Sequence, residues 1–240
     1  MKTNDNRRKF IKVGASTLFF GSILGSGIYL APKLNAKETF LRPPGAIDEK
    51  DFLSTCIKCG QCVQVCPYHS LSLLDITSGN SVGTPHVDAR SRGCYLCDLL
   101  PCVLACPSGS LNHDITQAHQ VEMGVAILKN PNKCLALLEK NVTQEDIAEI
   151  LTHSNENERE AKVLEDLQSY VGKPCTICAD LCPYPEKEKA IAMVQNQHGL
   201  WYPEVRSECV GCGVCEELCP AQEEAAIVMI PRAKYKEVYQ

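Results

Sequence analysis

These 240 residues contain no phosphate loop of the G-x4-G-K-[ST] form, and no G-x-G-x-x-G follows a strand-like run. A nucleotide or flavin site is therefore unsupported. The only tryptophan, Trp201, carries no signal of its own. The six histidines, His69, His86, His113, His119, His153 and His198, are scattered without the spacing of a metal set. His69 lies close to Cys66, yet it reads as a surface residue before a tuner of a metal centre. Positive charge is scarce as well. Lys and Arg number 24 against 29 Asp and Glu, and beyond residue 36 the balance becomes 18 against 28, a net charge of −10. That argues against nucleic acid or an anionic lipid surface as partner.

Cysteine, by contrast, is abundant. Fifteen of the 16 fall into four compact groups, and each group closes on Cys-Pro. Groups one (56–66) and four (209–219) have the complete spacing C-x2-C-x2-C-x3-C-P: Cys56, Cys59, Cys62 and Cys66, then Cys209, Cys212, Cys215 and Cys219. This spacing wraps three thiolates around one [4Fe–4S] cube and sends the fourth to a neighbouring one. Group two (94–106) has Cys94, Cys97, Cys102 and Cys106, with two extra residues before its third cysteine. Group three shows only Cys175, Cys178 and Cys182 in one stretch. Its first member is expected at Cys134, because 27 residues separate Cys66 from Cys94 and 27 again separate Cys106 from Cys134. The reading is four [4Fe–4S] clusters held by all sixteen cysteines. A disulfide framework suits shorter chains with poorer cores. A structural zinc site would use two C-x2-C pairs split by a loop, not four cysteines in eleven residues. Acidity then suits docking on a basic patch of a redox protein.

The expected fold is α+β and loop-rich, a polyferredoxin built from two bacterial-type two-cluster modules. Proline after the last cysteine lacks an N–H and should stop a short helix carrying the third and fourth ligands of each group. The apolar runs 70–74, 190–194 and 226–230 should form short strands over the cubes. Tyr68, Tyr95 and Tyr184 lie within two residues of a cysteine and are expected to pack there.

Two further segments differ from the rest. Residues 1–36 carry Arg7-Arg8-Lys9 ahead of an apolar stretch from Val13 to Leu30, the pattern of a twin-arginine export signal. Cleavage is expected after Ala36, with retention as a membrane anchor the alternative; residues 37–240 form the cluster-bearing domain. Residues 141–170 hold eight acidic and two basic residues inside the third group. Apolar residues recur there at helical spacing after Thr143-Gln144-Glu145-Asp146, so a surface helical hairpin is expected.

The leader, Leu41-Arg42-Pro43-Pro44-Gly45-Ala46-Ile47, Cys59-Gly60-Gln61-Cys62, Cys66-Pro67-Tyr68, Gly83-Thr84-Pro85, Pro101-Cys102, Cys106-Pro107-Ser108-Gly109 and Cys134-Leu135 together carry a resemblance. The chain resembles the NapG/MauM family, the ferredoxin-type quinol-dehydrogenase component of periplasmic nitrate reductase systems. The resemblance implies a periplasmic electron-transfer component rather than a stand-alone catalyst. It also implies a NapH-like membrane partner that oxidises quinol, and delivery to periplasmic nitrate reductase, directly or through a carrier. The 40 residues between Cys134 and Cys175 depart from that pattern, which keeps these two cysteines much closer. Alternatives are the iron–sulfur subunit of another molybdenum oxidoreductase, the component of a methylamine-oxidising system, or a non-redox structural or assembly factor.

Spacing permits sequential pairing of groups, one with two and three with four, or nested pairing, one with four and two with three. Nested pairing is the expectation, because the regular groups are the outer two and the altered groups the inner two. It matches Cys66 with group four, Cys219 with group one, Cys106 with group three and Cys182 with group two.

Overall fold

In each cysteine group, a single helical turn carries one cysteine and releases the chain before the last one. The computed structural model describes residues 39–150, 158–221 and 223–234. The twin-arginine signal and the cleavage site expected from the sequence lie outside them. The described α-helices are α1 (Glu49–Thr55), α2 (Gln61–Gln64), α3 (Pro101–Leu104), α4 (Gln144–Ile150), α5 (Glu158–Gln168), α6 (Ile177–Asp180), α7 (Lys187–Ala190) and α8 (Val214–Glu217). None of the described helices is long and apolar enough to cross a membrane.

Cys62, Cys102, Cys178 and Cys215 ride on α2, α3, α6 and α8. The last cysteine of each group, at 66, 106, 182 and 219, lies two residues past its helix. Proline therefore does not terminate these helices, contrary to the expectation. The turn has already unwound when the fourth cysteine is reached, and the Cys66 amide bonds only to the Val63 carbonyl at 3.4 Å. Gly60 (φ 74°) and Gly213 (φ 90°) start α2 and α8 in the left-handed region, which glycine adopts freely. The two extra residues of group two, Leu99 (φ 61°) and Leu100 (φ 42°), adopt it at a cost of about 1–2 kcal/mol each. Burial of Leu100, 1% exposed, offsets part of that cost.

Among the described residues six strands pair two by two, all antiparallel. β1 (Ser72–Leu73) pairs with β2 (Pro85–His86), β3 (Gly124–Leu128) with β6 (Ile227–Pro231), and β4 (Ile191–Gln195) with β5 (Trp201–Val205). Strands thus follow groups one, three and four as expected. Bridges Leu41↔Val87 and Ala46↔Leu111 tie the leading segment to the N-terminal half, whereas β3–β6 closes the C-terminal half around groups three and four. Arg42 fixes the leading segment: it forks onto Glu49, donates to Thr84 Oγ1 at 2.9 Å and lies 4.7 Å over the Phe52 ring.

The chain divides into two compact units. The described part of one is residues 75–82, a turn in which Asp75 Oδ1 accepts from the Thr77 amide and hydroxyl at 2.9 and 2.6 Å. The other comprises residues 39–74 and those after 82. Its main core includes Phe52, Leu100, Val103, Leu111, Ile147, Leu167, Ile177 and Val214. Two helices form within 141–170 as expected, and their apolar stripe, with Ile147 and Leu167, reaches into this core. Both are fully buried and share a core with Cys175 and Ile177. Thr143 caps α4 reciprocally: its amide donates to Asp146 Oδ2 at 2.8 Å, and the Asp146 amide donates to its hydroxyl at 3.1 Å.

Candidate iron–sulfur sites

The cysteines meet in four sets, each drawing three from one group and the last from its neighbour. Site I has Cys56, Cys59, Cys62 and Cys106 around a space of about 310 Å³. Site II has Cys66, Cys94, Cys97 and Cys102 around about 340 Å³. Site III has Cys182, Cys209, Cys212 and Cys215 around about 350 Å³. In site IV, burial raises the Cys178 thiol, and its neighbours Cys175, Cys219 and Cys134 raise it further. No three His, Cys, Asp or Glu side chains among the described residues converge tightly enough for a single metal ion. The thiols line voids instead. A larger, open space of about 1550 Å³ between β3 and β5 touches only Cys209 of the sixteen.

This arrangement overturns nested pairing. Cys66 joins Cys94 rather than Cys209, and Cys106 joins Cys56 rather than Cys134. Likewise Cys182 meets Cys209, and Cys219 meets Cys134. The reason is local closure. The bridges at Val87 and Leu111 fold groups one and two together, and β3–β6 encloses three and four, so each last cysteine reaches its neighbour in sequence.

The thiols form a donor set suited to a buried cluster. Burial pushes Cys62 up to about 11, and Cys102 and Cys175 up to about 12. Burial also raises Cys94, Cys178, Cys212 and Cys215, with neighbouring thiols adding to it. Iron–sulfur insertion here must release protons, since the thiolate is the ligand. Cys106 goes the other way: burial raises it, but hydrogen bonds from Ser110, the Leu111 amide and Ser108 bring it down to about 7. Sulfur acceptors recur at the crossing cysteines. The Ser70 amide donates to Cys66 Sγ at 3.3 Å, Ser110 Oγ lies 3.3 Å from Cys106 Sγ, and the Ala226 amide donates to Cys219 Sγ at 3.3 Å. Such bonds are among the levers that set cluster potentials.

The sites adjoin in the order I, II, III, IV. After burial, Cys62 helps raise the Cys102 thiol between I and II, Cys212 the Cys94 thiol between II and III, and Cys178 the Cys215 thiol between III and IV. At the middle junction the Cys94 amide donates to the Cys212 carbonyl at 2.7 Å. Arg90 reaches across to the carbonyls of Glu216, Cys219 and Ala221 at 3.0, 2.9 and 2.7 Å. Tyr95 lines site II and stacks on Tyr68 at 4.3 Å, while Tyr184 lines site III and donates to Glu208 at 2.9 Å. His69 is exposed, and His113 bonds the Cys106 carbonyl through Nε2 at 2.9 Å. Sequence reasoning passed over Ser110, Arg90 and Glu217. The one available signal was a pair of glutamates inside the fourth cysteine run.

Short helix-borne cysteines, crossing fourth ligands and buried thiol quartets define a ferredoxin-type iron–sulfur electron-transfer protein. Residues 55–110 match the 4Fe-4S dicluster domain family, and that span holds groups one and two together. A methylamine utilization ferredoxin-type protein MauM of Methylobacillus flagellatus is 36% identical over 92% of this chain and 80% of its own. Ferredoxin-type proteins NapG of Haemophilus influenzae and Escherichia coli are 35% and 32% identical, over 95% and 96% of this chain and 72% and 87% of theirs. The chain belongs to the NapG/MauM family of ferredoxin-type proteins. No solved structure matches it significantly.

Proposed function

We propose that the chain is a periplasmic four-cluster wire, taking electrons from quinol oxidation by a NapH-like membrane partner toward periplasmic nitrate reductase, directly or through a carrier. All sixteen cysteines serve as ligands, in two two-cluster modules: sites I and II, then III and IV. When bound, a [4Fe–4S] cluster takes up and returns one electron, so each transfer oxidises a donor and reduces an acceptor. The residues supply insulation, spacing and exchange points. Fifteen of the thiols are buried or half-buried, whereas Cys59 is exposed. Ile57 beside it is 64% exposed. Site I is therefore an end at which a partner exchanges electrons.

The observation that carries this reading is the unbroken line of quartets, joined at its centre by the Cys94–Cys212 hydrogen bond. Iron and sulfide analysis with EPR during titration by a quinol analogue tests it. The expected result is about sixteen iron per chain, with all four clusters reduced in the presence of the membrane partner. Clusters whose oxidation state never changes in turnover would return the chain to the structural or assembly class.

The MauM relatives favour a second reading, the same wire in a methylamine-oxidising system. Acceptance of the electrons by periplasmic nitrate reductase in a reconstituted chain decides for the first. Export folded by the twin-arginine route completes the proposal, because cluster insertion must precede transport. Replacing Arg7 and Arg8 by Lys should trap cluster-bearing protein in the cytoplasm; undiminished periplasmic protein would refute that route.

A further inference from the structure

Glu217 lies on α8 between Cys215 of site III and Cys219 of site IV, yet its carboxylate points at site II. Its side chain is 4% exposed. Oε2 accepts the Gly93 amide at 2.7 Å, Oε1 lies 3.7 Å from Arg92 Nε, and the Tyr95 hydroxyl also bonds to the carboxylate. Gly93 and Tyr95 are the two neighbours of Cys94. The Gly93 carbonyl in turn accepts Ser70 Oγ at 2.6 Å, and the Ser70 amide donates to Cys66 Sγ at 3.3 Å. A continuous path of hydrogen bonds therefore runs from the Glu217 carboxylate to a thiol of site II.

We propose that Glu217 is the positioning residue of the junction, holding the Cys94 loop against the Cys215 helix and placing a buried negative charge beside sites II and III. The adjacent glutamate does something else: Glu216 Oε2 accepts the Met229 amide at 2.6 Å and secures β6. These three groups, an amide, a phenol and a guanidinium, are donors, so a carboxylate, which only accepts, suits all of them. Glutamine would turn an NH2 group toward one of them. Burial of an ionised carboxylate is costly unless it is paired in this way. Gly93 permits the approach, because a Cβ there would stand 2.5 Å from the Val214 nitrogen.

The inference rests on the quartets holding clusters. Its test is a potentiometric EPR titration of the full chain with clusters incorporated, comparing wild type, Glu217→Gln and Tyr95→Phe. Iron-replete Glu217→Gln should show a higher midpoint potential for at least one cluster, since a lost negative charge favours the added electron. Unchanged potentials in that variant overturn the proposal. If Glu217→Gln loses iron, Tyr95→Phe decides. It keeps the charge and the stacked ring but removes one donor, so a lower potential supports the proposal and an unchanged one overturns it. Failure of the wire itself is a separate result, seen as fewer than four clusters in the wild-type protein.

Discussion

The amide of Cys94 donates to the carbonyl of Cys212 across 2.7 Å, joining two cysteine groups that lie more than a hundred residues apart. This contact turns two local cysteine assemblies into one line. Sites II and III meet there, and the ends are left at site I with its exposed Cys59 and at site IV with the helical insertion packed beside Cys175.

Crossed ligation has a direct genetic signature. Cys59→Ser and Cys106→Ser should abolish the same EPR signal, although the two residues belong to different sequence groups, because both line site I. Cys66→Ser should abolish a different one, shared with Cys97→Ser. Loss of separate signals by Cys59→Ser and Cys106→Ser would restore nested pairing.

Close backbone approach at the junction predicts a steric cost. Gly93→Ala puts a Cβ 2.5 Å from the Val214 nitrogen and 2.7 Å from the Gly213 carbon. Thermal unfolding should show a loss of about 1–3 kcal/mol, as for overpacking. Gly172→Ala, with φ 79° and open space around it, is the contrasting case. Its penalty should be only the left-handed strain of about 1–2 kcal/mol. Equal midpoint temperatures for wild type and Gly93→Ala would mean the two halves are free to part.

Ser110 is expected to tune site I without holding it. Its hydroxyl lies 3.3 Å from Cys106 Sγ and helps to bring that thiol down to about 7. A donor to sulfur favours the more negative, reduced state of a cluster. Ser110→Ala should therefore keep the iron content and lower the potential of the site I cluster in a redox titration. An unaltered potential would confine Ser110 to packing.

The insertion at 141–170 bears on stability as well as surface charge. Leu167 is fully buried beside the core that holds Ile177 and Cys175. Leu167→Ala should cost about 2–5 kcal/mol in denaturant unfolding, with iron lost from site IV first. A change under about 0.5 kcal/mol would mean the hairpin adds little to that core.

Much of this was legible in the chain. Cysteine spacing is a local property, because three thiolates within seven residues can face one void only through a tight loop and a helical turn. Cys134 was found by period alone, and it stands with Cys175 and Cys178 as that period required. Strands after groups one, three and four followed from short apolar runs. The depth of Ile147 and Leu167 was not legible, since an amphipathic stripe does not reveal whether it covers a surface or completes a core. Glu217 could not be read either, because its partners, Gly93, Arg92 and Tyr95, are over a hundred positions away.

The sequence by itself determined what the sites are made of: sixteen cysteines in four spaced groups, each able to give three thiols to one centre and one to another. Only the tertiary structure decided which centre receives the fourth. Near-equal spacings of 27, 27 and 26 residues satisfy either pairing. The choice came from backbone hydrogen bonds distant from any cysteine spacing, at Leu41↔Val87, Ala46↔Leu111 and along β3–β6. Those bonds fold neighbouring groups onto each other. The order of the sites was decided in the same way, by contacts across the junction such as the Cys94 amide on the Cys212 carbonyl, the Gly93 amide on Glu217 and Arg90 on three carbonyls, since the position of such groups in space is fixed by the whole chain and not by the residues beside them.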